Sequence, residues 1–132
     1  MDKVYVDSNI FVYAATNADK SPAARELLNT IANGKMQAWT STLTYDEVCW
    51  QLLNHLPDEQ AGEAMDLFLN APNLGFIDAT QDIIRQSHEY VFNDGADPRD
   101  AIHLASMEAK SLDCVYTEDT DFHDYAIRVE TL

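Results

Sequence analysis

The chain has 132 residues, of which 23 are acidic and 8 are basic, so its formal net charge at pH 7 is −15. This length suits a single domain, residues 1–132, and the 46% hydrophobic content with only 4 Gly and 4 Pro argues against disorder. The apolar runs fall far short of the roughly 20 residues that cross a membrane, and no signal-peptide pattern is present, which predicts a cytoplasmic protein.

The acidic surplus is larger than a few site carboxylates can explain. It disfavours nonspecific nucleic-acid binding, because that binding needs many Lys and Arg contacts to phosphates. A surface rich in Asp and Glu suits a salt-rich cytoplasm, where a Debye length of about 3 Å at 1 M salt screens self-repulsion. We therefore expect a halophilic host.

Short β-forming segments alternate with amphipathic helices along the chain. Predicted strands cover residues 4–6, 37–40, 74–77, 114–117 and 127–129. Predicted helices begin at Ser8 and cover residues 22–32, 44–56, 58–70, 80–95 and 97–109. Strands separated by helices at this spacing imply βαβ crossovers. The sequence thus predicts an α/β fold of three α/β/α layers, with a central parallel sheet of four to five strands in an order near 3-2-1-4-5.

Two helix starts carry specific signals. Ser21-Pro22 reads as an N-cap followed by proline at the first helical position. Thr44-Tyr45-Asp46-Glu47 fits a capping box, with Thr44 as the cap and Glu47 three residues later.

Two carboxylates are predicted to face each other across the sheet edge. Asp7 ends the first strand and Asp119 follows the fourth, and these strands flank the point where the predicted strand order reverses. Ligands of open parallel sheets bind in the crevice at that point. An Asx turn or a helix N-cap would be an adequate structural role for either residue alone.

Glu47 and Asp100 lie at the starts of helices, where each could serve only the capping box or the helix dipole. Four carboxylates on one rim would repel each other strongly without a cation. Carboxylate oxygens suit Mg²⁺ or Mn²⁺, ions that activate water and neutralise charge on a phosphoryl group. His103 and His123 match no zinc-binding spacing, so neither is predicted as a ligand.

Over essentially the whole chain these residues resemble the PIN-domain ribonucleases, and among them the single-domain VapC-like toxins of toxin–antitoxin pairs. The four segments that carry the resemblance are Val6-Asp7-Ser8-Asn9, Thr44 to Val48, Asp100 to Ala105, and Thr117-Glu118-Asp119-Thr120-Asp121-Phe122. Each motif is weak by itself, whereas all four in this order are specific.

The resemblance implies a PIN-like fold and metal-dependent hydrolysis of RNA phosphodiester bonds. It also implies a cognate antitoxin as partner. The implied catalytic and Mg²⁺- or Mn²⁺-binding residues are Asp7, Glu47, Asp100 and Asp119. Asp121 is implied as a further ligand, Ser8 and Thr117 as supporting residues, and Arg99 is a candidate phosphate contact.

Two other classes of protein with acidic sites at a sheet edge fit these residues less well. A haloacid-dehalogenase-type phosphohydrolase needs Asp-x-Asp after the first strand, and Asp7-Ser8-Asn9 lacks the second Asp. A phospho-receiver domain needs an acidic pair near the first strand and a Lys after the fifth, and neither is evident. A catalytically idle PIN-like module that binds protein or RNA remains open.

The helices offer more apolar surface than one small sheet can cover. Trp50, Leu53, Met65 and Phe68 on successive helices predict a symmetric homodimer. An antitoxin helix laid in a groove is the alternative use of this surface.

Overall fold

The structure is a computed structural model that describes residues 1–119, 121–122 and 125–132. Thr120 of the fourth motif and His123 lie outside the described residues. The strands are β1 (Lys3–Val6), β2 (Gln37–Ser41), β3 (Leu74–Ile77), β4 (Cys114–Tyr116) and β5 (Arg128–Glu130). The helices are α1 (Ser8–Ala15), α2 (Ser21–Ala32), α3 (Thr42–His55), α4 (Asp58–Leu69), α5 (Gln81–Asp94) and α6 (Pro98–Ala109).

The strands of the described residues form one parallel sheet in the order β3-β2-β1-β4-β5. Strand β1 is central, with Tyr5 opposite Trp39 of β2 on one side and opposite Val115 of β4 on the other. The order reverses between β1 and β4, so the carboxyl ends of these two strands border the crevice. The predicted fold class and strand order are confirmed.

Side chains of β1 alternate between two cores, as the twofold period of a strand requires. Val4 and Val6 pack in a cluster with buried residues of α1, α2, α3 and α4. Tyr5 points to the opposite face and packs in a second cluster with residues of α5 and α6. The sheet is therefore covered by helices on both faces, as is usual for parallel sheets.

Gly75 of β3 lies opposite Trp39 of β2 in the register. A Cβ atom at Gly75 would stand 2.7 Å from Cδ1 and Nε1 of the Trp39 ring. Glycine is therefore the residue that lets the indole lie across β3.

The predicted capping box is wrong. Helix α3 already begins at Thr42 and is capped by Ser41, whose hydroxyl accepts a hydrogen bond of 3.0 Å from the Leu43 N–H. Thr44 lies inside the helix, with its hydroxyl 2.7 Å from that of Thr40. The cause is that β2 runs directly into the helix, which places Glu47 in the second turn.

The predicted cap of α2 is also wrong. Ser21 is the first helical residue, and Lys20 occupies the N-cap position without a side-chain hydrogen bond. The Ser21 hydroxyl instead accepts from the Ala18 N–H at 2.8 Å and closes the preceding turn.

The exposed apolar surface differs in part from the prediction. Trp50 and Leu53 of α3 are exposed, as predicted, at 67% and 51%. Met65 and Phe68 of α4 were predicted for the same surface but are buried. The exposed apolar residues of α4 are Leu67 and Leu69. Helix α4 carries apolar residues around its whole circumference near its C-terminus, so periodicity could not select the buried face.

None of the helices in the described ranges has both the length and the apolar character that a membrane span needs.

Candidate metal centre

Asp7 connects the central strand to the first helix. It follows β1 directly, is buried, and its Oδ1 accepts a hydrogen bond of 2.7 Å from the Ser8 N–H. Its backbone N–H donates to the Tyr116 carbonyl at 3.0 Å, which continues the pairing of β1 with β4. A buried carboxylate needs such partners, because an unpaired charge in the interior is costly.

Thr117 joins the ends of β1 and β4 at the crevice. Its buried hydroxyl donates to Oδ2 of Asp7 at 2.7 Å and accepts from the Asp119 N–H at 2.9 Å. The Asn9 side chain adds a second link, donating to the Thr117 hydroxyl at 3.1 Å and accepting from the Glu118 N–H at 3.2 Å. The Thr117 hydroxyl thus connects the Asp7 side chain to the Asp119 backbone.

Glu47 reaches the same place from α3 through His103 of α6. Nε2 of His103 lies 2.7 Å from Oε1 of Glu47 and 3.6 Å from Oδ1 of Asp7. Burial disfavours the charged imidazole, but the hydrogen bond to Glu47 and the charges of Asp7, Glu47 and Asp100 outweigh it and raise the pKa of His103. Three potential ligand atoms of Asp7, Glu47 and His103 all lie within 4.8 Å of one another.

Tyr5 lies behind this group in the core. Its hydroxyl is 2.5 Å from Nδ1 of His103, and both side chains are almost completely buried. The two rings meet edge to face at a centroid distance of 5.5 Å.

A second acidic group stands beside the first. Ligand oxygens of Asp100, Asp119 and Asp121 lie within 4.8 Å of one another, and the Asp121 N–H donates to Oδ1 of Asp119 at 2.9 Å. Burial, together with the charges of Asp119, Asp97 and Asp7, raises the pKa of Asp100 to about 7. The two groups are therefore neighbours whose charges interact. A cleft of about 680 Å³ opens beside the second group, and Asp97, Asp100 and Asp121 contribute to its lining.

Three basic side chains that could contact a phosphate, Arg25, Lys20 and Arg99, are engaged in different ways. Arg25 donates to the carbonyls of Ala14 and Thr16 at 3.0 and 2.6 Å, which ties it to the end of α1. Lys20 forms an ion pair with Glu118. Arg99 follows the Asp97 cap of α6 and is exposed, and its guanidinium forms no hydrogen bond or ion pair with the described residues.

The donor set fits a hard divalent cation. Five carboxylates in two adjacent groups supply oxygen ligands, the donors that Mg²⁺ and Mn²⁺ prefer. Burial is the largest cause of the raised pKa of Asp100, and the charges of Asp119, Asp97 and Asp7 add to it; a cation would relieve that repulsion. The residues that would hold the ion are Asp7, Glu47, Asp100, Asp119 and Asp121.

Sequence reasoning missed His103, Tyr5 and Asn9 as parts of this site. The spacing of His103 from Asp100 places both on one face of α6, and that spacing was an available signal. Tyr5 had none, because its position against His103 depends on a contact across 98 residues of sequence. Asn9 stands within the first motif, but its link to Glu118 is equally remote in sequence.

Comparison with solved structures shows the fold that this arrangement shares. VapC20 of Mycobacterium tuberculosis, described as a sarcin–ricin loop cleaving toxin, is similar with a TM-score of 0.77 and 19% identity, over 95% of this chain and 98% of that one. VapBC2 of Rickettsia felis, solved with a promoter DNA fragment, is similar with a TM-score of 0.74 and 19% identity, over 98% of each chain. A toxin–antitoxin complex from Klebsiella pneumoniae is similar with a TM-score of 0.63 and 20% identity, over 90% of this chain and 89% of that one.

Sequence comparison identifies the family. A search of curated proteins finds no match. The PIN domain family model, however, matches residues 4–128, which is nearly the whole chain and includes every carboxylate of the two groups. With the strand order and the acidic crevice described above, this match shows that the chain belongs to the PIN-domain family.

Proposed function

We propose that residues 1–132 form a single PIN-like domain that is a Mg²⁺- or Mn²⁺-dependent endoribonuclease and the toxin of a toxin–antitoxin pair. The observation that carries this proposal is the crowding of carboxylates from distant parts of the chain at one crevice. Asp7, Glu47, Asp100 and Asp119 are more than 100 residues apart at the extremes, yet they interact within two adjacent groups. The cytoplasm is the proposed site of action, because RNA is the proposed substrate.

The chain's own residues would prepare the site before substrate arrives. Thr117 and the Ser8 N–H each fix one carboxylate oxygen of Asp7, which orients this side chain at the carboxyl end of β1. The Asp121 N–H orients Asp119 in the same way. A bound divalent ion would supply charge neutralisation at a phosphoryl group and activation of water.

RNA would have to approach a strongly acidic protein. Arg99 is the proposed phosphate contact, because it lies beside Asp100 and its guanidinium has no partner among the described residues. Arg25 and Lys20 are engaged elsewhere. We therefore expect metal ions, more than basic side chains, to hold the phosphate.

An apolar groove supports an antitoxin partner. A groove of about 400 Å³ lies among α1, α2, α3 and α4, and Phe11, Leu28, Val48 and Leu67 contribute to its lining. An amphipathic helix placed there would bury its apolar face, and two of the similar structures are described as toxin–antitoxin assemblies. A homodimer is proposed separately, with exposed Trp50 and Leu53 in the interface.

Cleavage of RNA by the purified protein tests the central proposal. Single-stranded and structured RNA should be cut with Mg²⁺ or Mn²⁺ and left intact with EDTA. Asp119→Asn should abolish cleavage while the fold is retained, because an amide keeps the shape and removes the charge. Asp113→Asn is the matched control, since Asp113 is exposed and precedes β4 at the opposite end of that strand.

One outcome favours the alternative of an idle binding module. A wild-type protein that cuts no RNA with either metal, but binds a partner helix in the apolar groove, would contradict the nuclease proposal. The small number of unengaged basic groups near the crevice is the observation that keeps this alternative.

Light scattering tests the assembly. A wild-type protein at micromolar concentration should be dimeric, and Trp50→Glu should be monomeric because a charge would be buried in the interface. A monomeric wild-type protein would contradict the homodimer.

A further inference from the structure

The Tyr5 hydroxyl is an unusual group for the centre of a parallel sheet. Tyr5 lies in the central strand with an exposed fraction of 0%. A phenylalanine would fill the same core without introducing a polar atom that needs partners. The hydroxyl is satisfied by Nδ1 of His103 and by the neighbouring Thr44 side chain. Its presence therefore calls for a role beyond packing.

The hydrogen bonds determine which nitrogen of His103 carries the proton. An ionised Glu47 carboxylate can only accept, so Nε2 of His103 must donate across the 2.7 Å contact. In the neutral imidazole Nδ1 must then accept, and the Tyr5 hydroxyl is the donor it faces.

The same bonds orient Glu47. Its Oε1 is held by His103, which leaves Oε2 for a further partner. The 3.6 Å contact between His103 and Oδ1 of Asp7 places Glu47 and Asp7 on one imidazole edge. Groups that hold a metal ligand in this way set both its direction and its basicity.

We propose that Tyr5 and His103 are positioning residues for Glu47: Tyr5 holds the His103 ring at Nδ1, and His103 orients the Glu47 carboxylate toward the divalent ion. This inference rests on the proposed metal-dependent function. It assigns neither residue to direct contact with substrate. The predicted consequence is that removing one buried hydroxyl from the core weakens metal binding at the crevice.

Tyr5→Phe tests the proposal because it removes only the hydroxyl. Mn²⁺ affinity, measured by calorimetry without RNA, should fall about tenfold, as is typical when a partner of a metal ligand is lost. Tyr90→Phe is the matched control, because it also removes one tyrosine hydroxyl, one that donates to Glu108 at 2.9 Å and not to His103. The control should keep wild-type Mn²⁺ affinity.

A double-variant cycle separates positioning from packing. His103→Gln keeps an N–H group that can donate to Glu47. It removes Nδ1 of the imidazole, the atom that the Tyr5 hydroxyl contacts. In that background Tyr5→Phe should cause no further loss of Mn²⁺ affinity. An equal loss in both backgrounds would show that the hydroxyl acts independently of His103 and would overturn the proposal.

Nitrogen NMR of the metal-free protein gives a readout that packing alone would not change. At alkaline pH the Nδ1 signal of wild-type His103 should be that of a nitrogen that accepts a hydrogen bond, and Tyr5→Phe should shift this signal because Nδ1 loses its donor. The His103→Gln spectrum assigns the signal among the four histidines of the chain. An unchanged Nδ1 signal, or an unchanged Mn²⁺ affinity in Tyr5→Phe, overturns the inference. A wild-type protein that binds no Mn²⁺ overturns the proposed function itself, which is a distinct result.

Discussion

Asp100→Asn should stabilise the metal-free protein, and the gain should depend on pH. The Asp100 carboxyl has its pKa raised from 3.8 to about 7 by burial and by Asp119, Asp97 and Asp7. The folded state therefore holds this proton more tightly than the unfolded state does. Ionisation of Asp100 does not affect the free energy of unfolding below about pH 4, and it lowers that free energy increasingly as the pH rises toward 7.

The size of the effect follows from the shift. About three pKa units would amount to roughly 4 kcal/mol for a fully buried group, at about 1.4 kcal/mol per unit. Asp100 is only half-buried, and solvent screening reduces this to about 1–2 kcal/mol. The asparagine variant should accordingly melt roughly 4–8 °C higher than wild type at pH 8 and show a smaller gain at pH 5.

Thermal unfolding in EDTA at the two pH values is the assay. Asp46→Asn, at an exposed position of α3, is the control and should show no gain at either pH. With Mn²⁺ present the order should reverse, because wild type gains binding energy that the variant lacks. Lower stability of Asp100→Asn at both pH values would refute the reasoning. It would show that Asp100 serves mainly the dipole of α6, a role worth about 0.3–1 kcal/mol.

Three further predictions follow from the charge, the sheet and the crevice. The metal-free protein should gain stability from low to molar KCl, because screening relieves the self-repulsion of a net charge of −15; a flat or falling melting temperature would contradict the halophilic interpretation. Gly75→Ala should cost about 1–3 kcal/mol in urea unfolding, since its Cβ would meet the Trp39 ring at 2.7 Å, whereas Gly62→Ala in α4 meets nothing within 4 Å and should stabilise by about 0.5–1 kcal/mol. Thr117→Val should cost about 1–3 kcal/mol in the same assay, because the buried Asp7 carboxylate loses its hydroxyl donor; wild-type stability would mean that water replaces the hydroxyl without cost.

The order of the elements and the position of Asp7 could be predicted because each depends on local signals. A short run of β-formers ends on Asp7, and the alternation of strands and helices admits few parallel topologies. The start of α3 could not be predicted in the same way. Ser41 and Thr44 both have side chains suited to capping, and the choice depended on how far β2 pairs with its neighbours.

The clustering of the acids was predictable, and the resemblance also implied Ser8 and Thr117 beside Asp7, whereas the partners of Glu47 were not predictable. A carboxylate at a strand end or helix start has a sequence signature, whereas the partners of Glu47 lie in other elements. His103 and Tyr5 are a histidine and a tyrosine within apolar segments, a pattern that fits ordinary core residues equally well. Only the packing of α6 and α3 against β1 shows that they form one hydrogen-bonded chain.

The distribution of the acidic residues along the sequence also determines when the candidate site can form. Asp7 is made early in synthesis and Asp119 is made late, and the two meet only after β4 has inserted beside β1. A nascent or truncated chain that ends before β4 therefore has three of the five carboxylates and lacks the Thr117 hydroxyl that joins Asp7 to Asp119. If the protein cuts RNA as proposed, this arrangement would confine that activity to the completed fold.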